Sequence, residues 1–203
     1  KLLRLLELRN SRVSDVSPLQ HLIDLKSLDL SSSLVSDVEP VKHLINLQNL
    51  ALGWNEVRDF SPITDLAELK KLDLRQCNVS DLSFLKDLTS LHHLDLGSNP
   101  VCELSYLRNL INLQTLHLSA TQVSNLMPLE DLLRLQTLNL METKVLDLSP
   151  LADLIDLRTL LLGETRVSDL TTIRGLTRLD TLVLRGTRIS DLSPLEGLSS
   201  LQT

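Results

Sequence analysis

The sequence predicts a solenoid of stacked parallel strands, each followed by a short helical segment, and three observations carry that prediction. The chain repeats every 22 residues without an insertion or deletion: leucines stand at 6, 28, 50, 72, 94, 116, 138, 160 and 182, and again two residues later from Leu8 to Leu184. A fixed period of this length marks units that stack on one another. The apolar spacing also changes inside each unit, from two to three. Finally, seven positions per unit are apolar in all nine turns, more than a lone 22-residue loop can cover, so the core must run between units.

Repeat positions are counted so that Leu3, Leu6 and Leu8 occupy positions 3, 6 and 8. Leucines two apart at 6 and 8 have the period of a strand with one buried face. Strands recurring in the same direction must pair in parallel. Positions 13, 16, 19 and 22 (Val13, Val16, Leu19 and Leu22 in the first turn) are three apart, which suits a 3₁₀-like path better than an α-helix. The triplet Ser-Pro-Leu at 17–19, 149–151 and 193–195 supplies a start signal. Serine is expected to cap the segment, with proline at its first position, where a missing N–H costs nothing.

Two polar columns punctuate the turn. Position 11 reads Ser11, Ser33, Asn55, Cys77, Asn99, Thr121, Thr143, Thr165 and Thr187; small polar groups there can satisfy backbone groups of adjacent turns. Position 15 is acidic at Asp15, Asp37, Asp59, Asp81, Glu103, Asp147, Asp169 and Asp191, with Asn125 between. A calcium ladder would use aligned carboxylates. Acceptance of turn N–H groups explains the same column, Asn125 included.

Composition excludes other classes. The net charge of −6 is interleaved in sign, whereas nucleic-acid binding needs a positive stripe. No apolar run approaches the roughly 20 residues that span a bilayer. Two cysteines, Cys77 and Cys102, are too few for a disulfide framework and occupy different repeat positions, so both are expected free; free thiols lean toward a reducing compartment. Neither end carries a polar cap, so residues 1–203 are expected to be one uncapped array of about nine repeats within a longer protein.

The segment LDTLVLRGTRISDLSPLEGL at 179–198 resembles the leucine-rich repeat family, most closely its 22-residue internalin-like bacterial subclass. That resemblance implies an α/β solenoid: a right-handed superhelix with a parallel sheet on the concave face and short 3₁₀ or α segments on the convex face. It also implies protein binding as the shared property, and for internalin-like members a secreted or cell-surface location. The family's usual asparagine stands at position 11 only in Asn55 and Asn99.

Outward strand positions are 5, 7 and 9, with position 10 at the strand's end. Position 7 runs from acidic to apolar along the axis: Glu7, Asp29, Ala51, Asp73, Asp95, His117, Asn139, Leu161, Val183. Position 9 includes Arg75 and Met141, and neither column is expected to be dictated by the repeat. Trp54, the only tryptophan, falls at position 10 and is expected to be partly exposed; tryptophan is enriched in binding hot spots. The expected partner-binding set is Trp54, Asp73, Arg75, His93, Asp95, His117, Met141 and Leu161. Asp73, Asp95, His93 and His117 have metal-ligand chemistry but no tetrahedral enclosure on an open sheet. Asp95, His117 and Ser119 suggest a triad without an oxyanion hole or a walled cleft. A hydrated charged patch is the expected state, with no catalytic residue, metal or cofactor. Lys144, Arg166 and Arg188 form a basic column, expected to be neutralised by Glu142, Glu164, Asp169 and Asp180.

The expected function is a non-enzymatic interaction module for another protein, monomeric by default, with no nucleic acid and no membrane insertion. The alternative is the substrate-recruiting segment of a larger ligase, kinase or nucleotide-hydrolysing switch.

Overall fold

The computed structural model describes residues 2–202. Nine three-residue strands form one parallel sheet in chain order: β1 (Leu5–Glu7), β2 (Ser27–Asp29), β3 (Asn49–Ala51), β4 (Lys71–Asp73), β5 (His93–Asp95), β6 (Thr115–His117), β7 (Thr137–Asn139), β8 (Thr159–Leu161) and β9 (Thr181–Val183). Every pairing joins residues one repeat apart, such as Leu72 with Leu94. The leucine columns therefore stack directly, and mid-array members such as Leu94 and Leu96 are buried.

The backbone ladder outlasts the strands. The position 8 N–H donates to the position 7 carbonyl of the next turn at 2.7–2.9 Å in every turn from Leu8 to Leu162. Position 10 does the same toward position 9, as in Trp54 to Arg75 at 2.8 Å. Position 10 is left-handed in all nine turns, with φ between 51° and 69°, yet only Gly186 is a glycine there. That conformation costs an L-residue roughly 1 kcal/mol, and the inter-turn hydrogen bond holds it in place.

One-turn 3₁₀ segments follow, from Ser17–His21 to Ser193–Leu195. Bonds such as Leu22 N–H to the Leu19 carbonyl and Leu25 N–H to the Leu22 carbonyl, both 2.9 Å, match the spacing of three. The serine does not cap. The residue before each segment is apolar (Val16, Leu148, Leu192) and makes no side-chain cap bond. The cap-like acceptor is the position 15 side chain. In eight turns the Asp, or Asn125, takes the N–H two residues on at 2.7–3.0 Å. The serine instead donates its hydroxyl to the other carboxylate oxygen, as in Ser61 to Asp59 at 2.8 Å. These bonds hold the carboxyls of Asp59, Asp81 and Asp147 below their ordinary value, with the backbone N–H as the main cause. Position 15 is thus a turn acceptor in every turn but that of Glu103, among the described residues, and the same role covers Asn125.

Position 11 is buried in turns 2–8, and its asparagines couple neighbouring turns. The Asn99 Oδ1 accepts from Cys77 and Val79 N–H at 3.0 and 2.9 Å, while its Nδ2 serves the carbonyls of Leu74, Leu96 and Gly97. Threonine in the same column reaches only within its own turn, as in Thr143 to the Leu140 carbonyl at 2.6 Å. There the cross-turn link passes to the backbone, as in Lys144 N–H to the Val123 carbonyl at 2.9 Å. The buried Cys77 thiol donates to the Leu52 carbonyl at 3.1 Å. Burial pushes its pKa up to about 11, so it is a packing group and not a reactive thiolate. Both cysteines are free.

Asn99→Ala strands several buried backbone groups of two turns, whereas Thr143→Ala removes one local donor. The expected losses are about 3–5 kcal/mol and about 1 kcal/mol respectively, read from urea midpoints. Equal losses would show that position 11 does not couple neighbouring turns.

Candidate functional site

From β2 to β9 the concave face of the sheet carries positions 5 and 7, half-buried between neighbours except for the exposed Lys71, while position 6 is buried in the core. Asp73 and Asp95 face each other across β4 and β5, and Asp95 neighbours His117 across β5 and β6. His93 begins β5. These four side chains line one shallow hollow of about 400 Å³ together with Asp29, Asn49, Ala51 and Lys71. Arg75 joins the group by an ion pair with Asp95 at 2.6 Å. Trp54 lies outside the hollow's lining, at the exit of β3, and is 52% exposed. Met141 lies one turn beyond His117 and Leu161 two turns beyond, both half-buried.

Positions 7 and 9 are less free than alternation implies. Asp29, Asp73, Asp95 and Asn139 each accept the N–H two residues on at 2.8–3.0 Å, closing the strand's end. Position 9 is constrained by the same side chains. A Cβ on Gly53 would stand 3.1 Å from an Asp73 oxygen and 3.3 Å from the Arg75 carbonyl. Glycine there allows the Asp73 side chain to lie close over the preceding turn.

The electrostatics single out two residues. Burial raises the Asp73 carboxyl above its ordinary value, Asp95 and Asp29 add repulsion, and the Arg75 N–H opposes both. His93 is held below its ordinary value by burial first, then by Lys71, His92 and His117. The Asp–His–Ser triad is not assembled. Asp95 is engaged by Arg75 and the Gly97 N–H, and no hydrogen bond joins His117 to Ser119 among the described residues. Nor, among those residues, do three or more His, Cys, Asp or Glu converge as metal ligands.

The basic column departs from expectation. Lys144, Arg166 and Arg188 are exposed, and among the described residues none pairs with Glu142, Glu164, Asp169 or Asp180. Glu164 pairs with Arg185 instead, at 3.6 Å. The three position 12 side chains are solvated individually.

Sequence reading missed Asp29, Asn49 and Lys71 as lining residues. Asp29 belongs to the acidic column already recognised, and Asn49 and Lys71 stand at position 5, where alternation also points outward. The signal that unites them is Ala51, a small residue between two aspartates of one column.

Comparison with known proteins follows the same lines. A family model described as leucine rich repeats (2 copies) matches residues 67–109. An internalin (inlF) of Listeria monocytogenes aligns at TM-score 0.89 and 28% identity over 98% of this chain and 66% of that one. An internalin C2 of Listeria monocytogenes aligns at TM-score 0.74 and 30% identity, over 97% of this chain and 77% of that one. A repeat protein of Leptospira interrogans aligns at TM-score 0.90 and 26% identity, over 98% and 54%. This chain thus spans only part of each. No curated protein matches the sequence.

Because its folded pKa is raised, Asp73 favours the fold below the ordinary value of 3.8, and that contribution is lost as pH rises through the folded value. Asp73→Asn keeps an acceptor for the Arg75 N–H, as Asn139 does for Met141. The variant should be more stable than wild type at pH 7 by a few tenths of a kcal/mol, and the advantage should vanish as pH falls below 3.8. Denaturation midpoints at pH 7 and pH 3 check this; a loss of stability at pH 7 would contradict it.

Proposed function

The chain belongs to the leucine-rich repeat family, and from that premise we propose that it is a protein-binding module whose partner docks on the concave sheet. The observation that carries this reading is Asp73. The fold asks of position 7 only an acceptor for the N–H two residues on, which Asn139 supplies in turn 7 without charge. Asp73 adds a half-buried carboxylate that opposes folding at neutral pH. Groups that disfavour their own fold cluster at functional surfaces.

Trp54 supports the same face. Its left-handed position is filled by Ala120 and Gly186 in other turns, so the large exposed ring answers no local need of the backbone. Exposed tryptophan matches the make-up of interface anchors. Beyond them the face turns apolar at Met141, Leu161 and Val183. Interleaved charge and the net −6 favour a protein partner over nucleic acid. An open sheet offers no walled, water-excluding cleft, which supports recognition without turnover by this chain.

With a partner recovered alongside the chain, calorimetry on three variants tests the reading. Trp54→Ala is tolerated, since Ala120 occupies the equivalent site, and should weaken binding by about 1–3 kcal/mol. Asp95→Asn should fall in the same range. Lys86→Ala, on the convex side after a 3₁₀ segment, should bind as wild type. The opposite pattern would place the partner elsewhere.

A further inference from the structure

We propose that the hollow over Ala51 is a socket for an arginine side chain of the partner, seated between the carboxylates of Asp29 and Asp73. This rests on concave-face binding and names the chemistry that the face selects.

The geometry begins with the register. Asp29 pairs with Ala51, and Ala51 with Asp73, in adjacent strands. Alanine thus sits between two aspartates that share one column and one face. Across two strand spacings the aspartates stand roughly 10 Å apart. With a methyl group at the middle position, the column has a gap where neighbouring turns carry larger side chains. That gap belongs to the hollow of about 400 Å³ that Asp29 and Asp73 both line.

Each aspartate spends one oxygen on the N–H two residues on. The second oxygen of each accepts no hydrogen bond among the described residues, and neither carboxylate joins an ion pair there, even though Lys71 lines the same hollow. Asp95 differs, because Arg75 already occupies it. That pair displays, within the chain, the interaction the socket would offer a partner. A planar guanidinium carries donors on both edges and can bond to a carboxylate on either side, which a compact ammonium cannot do in one position. An incoming cation would also offset the repulsion that Asp73 bears from Asp95 and Asp29.

The filling of the column supplies a clean variant. Position 7 holds Leu161 and Val183 in turns 8 and 9, so Ala51→Leu fits the fold while closing the gap. Asp29→Asn and Asp73→Asn keep the N–H acceptor and remove the charge.

A displayed library of random peptides, selected on the whole chain, tests the inference. Recovered peptides should be enriched in arginine. A representative peptide should lose about 10-fold in affinity or more when its arginine becomes citrulline, and a comparable amount on Ala51→Leu or Asp73→Asn protein. Lysine in place of arginine should cost about 5-fold. Lys86→Ala should change nothing. Peptides that need the concave face, losing affinity on Trp54→Ala or Leu161→Arg while ignoring Ala51→Leu or showing no arginine preference, would overturn the socket and leave protein binding standing. Equal binding of lysine and arginine peptides would overturn the guanidinium assignment. Peptides sensitive only to Lys86→Ala, or no enrichment at all, would overturn both readings.

Discussion

The parallel register between successive turns is the constraint on which the rest of this molecule depends. Each turn donates two of its N–H groups, at positions 8 and 10, to carbonyls of the turn that follows. Exposing those groups singly inside an apolar stack would be costly, so a turn is complete only when its neighbour is in place. The strand register follows, since a slip of one residue would put every strand residue on the wrong face. Left-handed backbone at position 10 follows too, as the geometry that bends the chain away while keeping its N–H on the ladder. Small polar residues at position 11 then satisfy the groups that the bend turns inward.

Function is confined to what this constraint leaves over. Positions 3, 6, 8, 13, 16, 19 and 22 are committed to the core, position 11 to bonds with the backbone of its own or the neighbouring turn, and position 15 to turn bonds in eight turns. Even position 7 is partly committed, because its side-chain oxygen closes the strand's end in four turns. What remains variable is charge and size at positions 5, 7 and 9, and whatever residue fills position 10. In turns 2–5 those freedoms produce a hollow, unequal carboxylates and an exposed indole; in turns 7–9 positions 5 and 7 carry no charge and surround Leu161.

The repeat made the architecture legible from the sequence. Leucine spacing placed all nine strands, the spacing of three predicted 3₁₀ segments, and the Asn within an Asp column pointed to turn acceptance over metal binding. The serine of Ser-Pro-Leu misled because a one-turn segment has little room for its own cap, and Asp two residues earlier does that work while the serine hydroxyl turns back to it. The site was legible in part. Alternation identified Asp73, Asp95, His93 and His117 as co-facial, but not that Arg75 reaches across to Asp95 or that Gly53 is glycine because Asp73 lies over it. Such facts depend on side-chain direction between turns, which a column of letters does not carry.

If stacking is the central term, damage to one turn must spread to its neighbours. Native-state hydrogen exchange on Leu94→Ala measures this directly through the amides of Leu52, Leu74, Leu96 and Leu118, each bonded to the next turn. The stacking account predicts that protection falls together at Leu74, Leu96 and Leu118, with a loss comparable to that of the truncated turn itself. A loss confined to Leu96, with Leu74 and Leu118 protected as in wild type, would show that the turns are stable individually and would contradict the account.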